Sequence, residues 1–235
     1  MNQGMWTAKE SDKTQLVIVG AGEFAEIAYE YFTHDSSYTV VAFSVEEAFL
    51  TTPTLYDLPV IPLETLADNY SPDSVSVFIA VTYTKLNTVR ERLFTSLREQ
   101  GYEFARYVSS RAFIWHTASI GTNVFIFENN VIQHGAVIGD NVVLWSGNHI
   151  GHQSVVENHC YLASHIVVSG YCRIGENSFV GVNATFADHV KTGNDCLIGA
   201  GALILADVPN DTIVPGVASK HSTVSSRRFH RIGKR

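Results

Sequence analysis

The 235-residue chain has few cysteines, few charged residues and no long apolar run. Its three cysteines are an odd number without C-x-x-C spacing, which favours neither a disulfide framework nor a zinc site. No run of eighteen apolar residues exists for a membrane span, and segment 1–14 is polar without a secretory apolar core. Charged residues are 17% and sum to −7, which argues against a nucleic-acid surface. These absences predict a soluble cytoplasmic protein.

One end of the chain departs from this acidic balance. The last nine residues are locally basic, and we interpret them as a solvated end in preference to a binding patch. The basic side chains are Arg227, Arg228, His230, Arg231, Lys234 and Arg235.

A six-residue period runs without a break from Ile114 to Ile204. The first place of each hexad is Ile, Leu or Val in fourteen of sixteen cases, with Phe186 and Thr192 as the exceptions. The fifth place is mostly small. Such a period is the signature of a hexapeptide parallel β-helix, in which three hexads make one triangular coil. Sixteen hexads therefore predict about five coils, with the aliphatic first places stacked in the interior.

The cysteines fit this frame. Cys160, Cys172 and Cys196 all occupy the fifth place of a hexad, which we expect to face inward. A free cysteine in such a place behaves as a compact apolar residue. We therefore predict that the three cysteines fill the core.

The residues before the repeat alternate between short apolar runs and segments with helical spacing. This alternation predicts a three-layer α/β domain with a parallel sheet. The predicted strands cover 15–20, 38–44, 60–61 and 74–81, and the predicted helices cover 21–32, 64–70 and 86–100. The predicted division of the chain is a polar segment 1–14, an α/β domain 15–111, a β-helix domain 112–207, and a capping loop with the basic tail 208–235.

Several residues of the α/β domain have the chemistry to bind a phosphorylated ligand. Gly20 and Gly22 lie between a strand and a helix, where a glycine lets the backbone approach phosphate and the helix N-terminus offers free N–H groups. Because Ala25 replaces the third glycine of that pattern, a plain strand-to-helix turn is the alternative. Other candidates near this turn or near strand ends are Glu23, Phe24, Glu46 for a ribose or base, Thr82, Tyr83 for stacking on a base, Lys85 for phosphate, and Asn87.

Four histidines fall within seventeen residues of the repeat. His152 holds the third place of its hexad, so we expect it at a turn, pointing outward, whereas His149 holds a sixth place and His165 a fourth. Histidine titrates near neutral pH and suits a general base. We expect no triad of ligands at one hexad place in successive coils, so we predict a catalytic histidine. A metal site and a structural polar cluster around His159 and its neighbours are the alternatives.

The chain resembles the bacterial sugar acyltransferases of the left-handed β-helix class, specifically the sialic-acid O-acetyltransferase and bacillosamine N-acetyltransferase group. The resemblance covers nearly the whole chain and rests on the Val19–Gly22 turn, the hexads and the closing segment Val214–Lys220. It implies an N-terminal Rossmann-like domain that binds a nucleotide-linked sugar. It also implies a left-handed β-helix that binds acetyl-CoA between the subunits of a homotrimer.

The resemblance assigns roles to particular residues. The family's catalytic histidine stands in a His-Asp or His-Glu pair at the third place of a hexad, which here is His152 followed by Gln153. Gln153 can orient the imidazole but cannot stabilise an imidazolium by charge, so Glu157 or another carboxylate is a candidate substitute. The N–H of Gly170 would donate to the thioester oxygen. The other implied contacts are with CoA, through Gly199, Ala200, Gly201, Pro215 and Lys220, and with the sugar nucleotide, through His165.

The expected activity is that of an acetyl-CoA-dependent N-acetyltransferase on the amino group of a nucleotide-linked amino-deoxysugar, without a metal. The product would serve a surface glycan such as lipopolysaccharide. His152 is the expected base, with His149 as an alternative. Two other functions stay open: an O-acetyltransferase on a sugar hydroxyl, and a non-catalytic trimeric β-helix that binds a ligand. The nucleotide and the sugar are open as well.

Overall fold

The computed structural model describes residues 14–231, and its N-terminal part is an α/β unit built on a six-stranded sheet. The sheet order is β3-β4-β2-β1-β5-β6, and every neighbouring pair is parallel except the β3–β4 hairpin. The elements are β1 (Gln15–Val19), α1 (Glu23–His34), β2 (Thr39–Val45), β3 (Thr54–Leu55), β4 (Leu58–Pro62), α2 (Leu66–Asn69), β5 (Ser76–Ile79), α3 (Thr88–Glu99) and β6 (Glu103–Phe104), with 3-10 turns at Glu47–Phe49 and Leu63–Thr65.

Helices cover both faces of this sheet. Successive residues of β1 face opposite sides, so Ile18 packs with α1 whereas Val17 packs with α2 and α3. In α1 the buried residues Phe24, Ala28 and Phe32 are four apart and form one apolar stripe. The predicted three-layer α/β unit is confirmed. The hairpin strand β3 and the edge strand β6 were not predicted.

The rest of the chain winds into a parallel β-helix with three faces of two-residue strands. Face 1 contains β7 (Tyr107–Val108), β10 (Phe125–Ile126), β13 (Val143–Leu144), β16 (Tyr161–Leu162), β19 (Phe179–Val180), β21 (Leu197–Ile198) and β23 (Ile213–Val214). Face 2 contains β8 (Phe113–Ile114), β11 (Val131–Ile132), β14 (His149–Ile150), β17 (Val167–Val168), β20 (Thr185–Phe186) and β22 (Leu203–Ile204). Face 3 contains β9 (Ser119–Ile120), β12 (Val137–Ile138), β15 (Val155–Val156) and β18 (Arg173–Ile174).

The β-helix is longer than the sequence predicted. Its first strand, β7, pairs with β10 and so precedes the predicted limit at residue 112, while β23 pairs with β21 beyond residue 207. Residues 107–214 give six coils at the eighteen-residue repeat seen between Phe125 and Val143, in place of the expected five. The last coil is two residues shorter, because Ile198 pairs with Val214. The predicted capping loop therefore contains a strand.

Interior packing follows the hexad. Residues at the first and fifth places form one core, which includes Phe186 and the three cysteines, so the prediction that the cysteines fill the core is confirmed. The fourth place has positive φ in turn after turn, as in Asn141 (57°) and Asn177 (57°). Asparagine and glycine tolerate this left-handed backbone best, which explains their frequency at that place.

The turns between faces stack into three corners of the prism. Corner A follows face 1, corner B follows face 2, and corner C follows face 3. Corner A comprises 109–112, 127–130, 145–148, 163–166, 181–184 and 199–202. Corner B comprises 115–118, 133–136, 151–154, 169–172, 187–190 and 205–207. Corner C comprises 121–124, 139–142, 157–160, 175–178, 193–196 and 209–212.

The α/β unit packs on face 1, between corners A and C. Phe125 lies at the centre of this junction, with its ring 5.5 Å from that of Phe24 and 5.8 Å from that of Phe32. Next to corner A, Tyr31 of α1 donates to Glu128 at 3.3 Å. At corner C, Arg90 of α3 donates to the carbonyl oxygen of Asn141 at 2.8 Å. Corner B is therefore the corner opposite the α/β unit of the same chain.

The C-terminal part of the described chain is exposed and ends in the short helix α4 (Ser226–Phe229). Lys234 and Arg235 of the basic tail and nearly all of the polar segment 1–14 lie outside the described residues. Within residues 14–231 no helix is both long and apolar enough to cross a membrane.

Candidate active site

His152 lies on corner B and is exposed to solvent. Its ring leans toward the next coil and covers Gly170, since a Cβ atom added to Gly170 would lie 2.8 Å from the imidazole Nε2. The ring of Tyr171 meets His152 edge-on at a centroid distance of 5.1 Å. The His152 amide donates to Gln133 Oε1 at 3.0 Å, which fixes the turn that carries the imidazole.

Gly170 donates its amide N–H to Asp188 Oδ1 at 2.8 Å. Asp188 holds the third place of its hexad, one coil beyond Gly170 and two coils beyond His152. The imidazole and the carboxylate therefore approach Gly170 from its two neighbouring coils. The role of Gly170 as the donor to a thioester oxygen stays a prediction, and it requires Asp188 to release the amide.

The residues expected to assist His152 lie elsewhere. Gln153 has positive φ and its side chain covers Gly135 in the preceding coil, where an added Cβ would lie 2.8 Å from its Cδ. The Gln153 side chain therefore points away from the imidazole of His152, which leans toward the following coil. Glu157 lies on corner C and forms an ion pair with Arg173 at 2.7 Å. The expectation that Glu157 supplies the missing charge is therefore wrong.

The four clustered histidines separate in space because each hexad turns the chain to a new face. His149 is half-buried on face 2, next to the turn that carries His152. His165 lies exposed on corner A, over Gly147. His159 lies on corner C against Phe94, and its Nδ1 is 2.9 Å from the side-chain Nδ2 of Asn141. Burial lowers the pKa of His159.

Corner B contains a histidine column that the sequence analysis missed. His116, His134 and His152 hold the third place in three successive coils, so the expectation that no triad recurs at one place was wrong. The eighteen-residue spacing is the signal that reveals it. His134 hydrogen-bonds through Nδ1 to Thr117 Oγ1 at 2.6 Å. Across the described part of the chain, no group of three or more His, Cys, Asp or Glu side chains is arranged to hold a metal.

The two glycines after β1 have different surroundings. Gly20 has φ 132°, and an added Cβ would lie 2.6 Å from the carbonyl oxygen of Ala80, so this glycine allows two strand ends to pack closely. Gly22 precedes α1 and has open space around the position of a Cβ. Glu23 is exposed beside it. The open side of this turn is where a phosphate has room to approach the N-terminus of α1.

Three of the residues predicted to contact the sugar nucleotide contact other parts of the protein. Phe24 is buried, and its ring packs on Phe78 at 6.2 Å as part of the domain junction. Asn87 is buried and donates to the carbonyl oxygen of Ser178 at 3.2 Å. The carboxylate of Glu46 is paired with both terminal nitrogens of Arg92, at 3.0 and 2.9 Å. The sequence alone does not show these partners, because it does not reveal which strand-end side chains meet the β-helix or another helix.

The loop after β5 retains candidate ligand residues. Tyr83 is 49% exposed, and its ring lies 4.4 Å from that of Phe179 on face 1. Lys85 is exposed, and Thr82 lies 3.4 Å from the hydroxyl of Thr84. This loop therefore presents an aromatic ring, hydroxyls and a cation on the side of the α/β unit that faces the β-helix.

The residues expected to bind CoA are divided between two corners. Gly170 lies on corner B, whereas Gly199, Ala200 and Gly201 lie on corner A. Gly199 allows the backbone at Pro215 to pack closely, since an added Cβ would lie 3.1 Å from the Pro215 carbonyl carbon. Ala200, Gly201 and Lys220 are exposed. Gly199, Ala200 and Gly201 therefore lie on a different edge of the β-helix from His152.

The repeat matches a known family model, bacterial transferase hexapeptide (six repeats), over residues 117–152 and 171–206. Both matched stretches lie within the β-helix. No curated protein matches the sequence of this hexapeptide-repeat chain.

Solved structures share the arrangement of both parts of the hexapeptide-repeat chain. The acetyltransferase domain of PglB from Neisseria gonorrhoeae is 23% identical with a TM-score of 0.78, and the match covers 87% of this chain and 97% of that chain. PerB from Caulobacter crescentus, in complex with CoA and GDP-perosamine, is 24% identical with a TM-score of 0.78, covering 91% and 99%. WeeI from Acinetobacter baumannii is 18% identical with a TM-score of 0.60, covering 86% and 97%.

These likenesses confirm the expected fold class, an N-terminal Rossmann-like α/β domain followed by a left-handed parallel β-helix of hexapeptide repeats. The left hand departs from the usual right-handed crossover between parallel strands. The resemblance stated from the sequence is confirmed for the fold and for the repeat.

Proposed function

We propose that the protein is an acetyl-CoA-dependent N-acetyltransferase that acts on the amino group of a nucleotide-linked amino sugar. The observation that carries the proposal is the exposed imidazole of His152 against the side-chain-free Gly170, on a hexapeptide β-helix joined to a Rossmann-like domain. Two structural neighbours support it: PerB binds CoA and GDP-perosamine, and the PglB acetyltransferase domain binds acetyl coenzyme A. The proposed substrates place the reaction in the cytoplasm, as a step toward a surface glycan.

In the proposed reaction His152 acts as a general base. The sugar amine attacks the thioester carbonyl carbon and gives a proton to the imidazole. The Gly170 N–H donates to the oxyanion that forms, a contribution of roughly 3 kcal/mol for donors of this type. The carbon–sulfur bond then breaks, and the CoA thiolate leaves and takes a proton from His152 or solvent.

The proposed ligand residues are those that stay accessible. For the sugar nucleotide we assign the Gly22 turn, where the N-terminus of α1 favours phosphate, together with Tyr83, Lys85 and His165. For CoA we assign Gly170 on corner B, together with Ala200, Gly201, Pro215 and Lys220. The reaction uses no metal in this proposal. The division of the chain into two parts is proposed with it, with the α/β domain beginning at residue 15 and the β-helix extended to the strands at residues 107 and 214.

We propose that the active site forms between subunits of a homotrimer. In one chain the α/β unit covers face 1, whereas His152 lies on the opposite corner B. The sugar bound to that unit therefore cannot reach its own His152, but the unit of another copy placed at corner B can supply it. The first and last strands of face 2 carry exposed apolar residues, Phe113 (53% exposed) and Leu203 (63% exposed). These residues give the copies an apolar surface on which to associate.

Acetyl transfer is tested with acetyl-CoA and a panel of UDP-, dTDP- and GDP-linked amino sugars, by following free thiol and product mass. We expect thiol release that depends on the sugar and a product heavier by one acetyl group on nitrogen. Acetylation of a hydroxyl would identify an O-acetyltransferase instead. No product, and no rise in melting temperature with acetyl-CoA or CoA, would favour a non-catalytic β-helix, because a ligand at a hundred times its Kd adds about 2.7 kcal/mol.

A further inference from the structure

The site around His152 lacks a neighbouring carboxylate in sequence. Gln153 follows the histidine, and Glu157 on corner C forms an ion pair with Arg173. A base that takes a proton from an amine becomes a cation, and an opposite charge nearby stabilises that cation. The geometry of corner B shows where such a charge is available.

Asp188 is directed at the His152 site from two coils away. Neighbouring strands lie about 4.8 Å apart, so the backbones of His152 and Asp188 are separated by roughly twice that distance. Both side chains bend toward the residue between them: the imidazole covers Gly170, and the carboxylate accepts the Gly170 N–H at 2.8 Å. Gly170 has no side chain, and the imidazole lies against the position that its Cβ atom would take.

The other charged or titratable side chains near Asp188 on corner B contact groups other than Gly170. Asp207, the carboxylate of the next coil, accepts the backbone N–H of Lys191 at 2.8 Å, away from Gly170. His189 follows Asp188, and its ring stacks on Tyr171 at 5.0 Å. Asp188 is thus the carboxylate that shares Gly170 with His152.

We propose that Asp188 is the acidic positioning residue of His152. This proposal rests on the proposed function, since it concerns the same base. In the free protein the Asp188 carboxylate holds the Gly170 N–H. When the thioester oxygen takes that N–H, the carboxylate is released next to the imidazole, where it stabilises the imidazolium formed by the proton from the amine. Asp188 itself keeps its charge, and no proton passes to it.

The test uses a variant that removes only the charge. In Asp188→Asn the amide oxygen still accepts the Gly170 N–H, so the turn is preserved. We expect kcat with the aminosugar nucleotide to fall about tenfold, because the partner is exposed to solvent and its field is screened. KM for acetyl-CoA should stay within about twofold, and Asp188→Glu should recover part of kcat. The matched control is Asp207→Asn, which removes an equivalent charge from the same corner and should leave kcat unchanged.

The outcomes separate this proposal from the function on which it rests. A wild-type protein that transfers no acetyl group overturns both. An active wild type with a dead His152→Ala variant, but with Asp188→Asn at wild-type kcat, overturns the role of Asp188 and leaves the function standing. An equal fall in kcat for Asp188→Asn and Asp207→Asn, or a fall that tracks a lower melting temperature, would assign Asp188 a merely structural role and also overturn the proposal.

Discussion

At the scale of single residues, the two glycines of corner B nearest His152 have different neighbours. Gly170 faces the end of a side chain, the His152 imidazole, whereas Gly151 faces the backbone of Ser169. Neither glycine has a positive φ. An alanine therefore creates a clash of a different kind at each position, and the two substitutions form a matched pair.

Gly170→Ala should reduce activity without unfolding the protein. Its methyl group would displace the imidazole, which can rotate away, so we expect kcat to fall at least about tenfold while the free energy of unfolding changes by less than about 0.5 kcal/mol. Gly151→Ala would place a Cβ 2.5 Å from the carbonyl carbon of Ser169, and it should cost about 1–3 kcal/mol of stability. Chemical denaturation and steady-state kinetics measure both. Equal destabilisation by the two variants would contradict this account.

The residue-level predictions from sequence succeeded where the period decides the environment. The hexad frame identified the three cysteines as core residues and placed His152 and Gly170 one coil apart. Asp188 lies eighteen residues after Gly170, so the hexad frame also predicts that it lies one coil beyond Gly170. Gln153 was misjudged because its left-handed backbone, φ 56°, sends the side chain to the preceding coil.

At the scale of elements, α3 and corner C meet through a buried polar row. Asn123 accepts the N–H of Ile79 at 2.8 Å and donates to Asn141, and Asn141 in turn contacts His159. Arg90 of α3 is fully buried in this row, and burial lowers its pKa to about 10. A proton on His159 would add a second cation beside Arg90, in a place with little access to water.

This arrangement makes the stability of the junction depend on pH. Burial holds the pKa of His159 below its ordinary value near 6.5, an effect that Arg90 reinforces and that Glu91, Glu176 and Asp140 oppose. As the pH falls through about 6.5, the unfolded chain gains a proton that the folded chain does not, so stability falls until the folded pKa is reached. Above about pH 6.5 the contribution of the neutral imidazole is fully present.

His159→Asn should remove this part of the pH dependence. Asparagine occupies the same turn place in Asn141 and Asn177 with the same backbone, so the fold should tolerate it. Its oxygen can accept from Asn141 as Asn141 accepts from Asn123. The free energy of unfolding, measured from pH 7.5 to pH 5.5, should fall less in the variant than in the wild type. Parallel curves for the two proteins would show that His159 does not titrate on unfolding.

The elements themselves were only partly predictable. The short apolar runs and helical stripes of the α/β unit gave α1, α3 and the main strands to within a few residues. The hairpin strand β3 is two residues long and lies outside the repeat, so no periodicity reveals it. The first β-helix strand, β7, precedes the hexads that the sequence analysis recognised. Tyr107 also lies in the domain junction, where its packing serves the α/β unit as much as the β-helix.

At the scale of the whole molecule, the two parts of the chain share one aromatic core. Phe125 of the β-helix contacts Phe78 of the sheet at 5.4 Å and Tyr107 at 4.5 Å, and it is fully buried. Trp145 stacks on Phe127 beside this core at 4.4 Å. The signal for this junction is an eighteen-residue period of outward-facing aromatic residues on face 1, at Tyr107, Phe125, Tyr161 and Phe179, which the sequence analysis missed.

The shared core should make the molecule unfold as one unit. Phe125→Ala should cost about 3–5 kcal/mol and lower the melting temperature reported by both far-ultraviolet circular dichroism and Trp fluorescence. Val137→Ala, on the exposed side of face 3, is the control and should have little effect. The comparison is made at one protein concentration, since association shifts apparent stability. Two separate transitions, only one of them moved by Phe125→Ala, would contradict a single cooperative unit.

The measurement that tests the central claim most directly is acetyl transfer by His152→Ala beside His134→Ala, His149→Ala and His165→Ala. His134 is the matched control, since it holds the same place on corner B one coil earlier. The account predicts that kcat falls about 10²–10⁴-fold for His152→Ala, at unchanged melting temperature and CoA affinity, and stays within about twofold of wild type for His134→Ala. A His152→Ala protein with near-normal kcat, or an inactive His149→Ala protein, would contradict it.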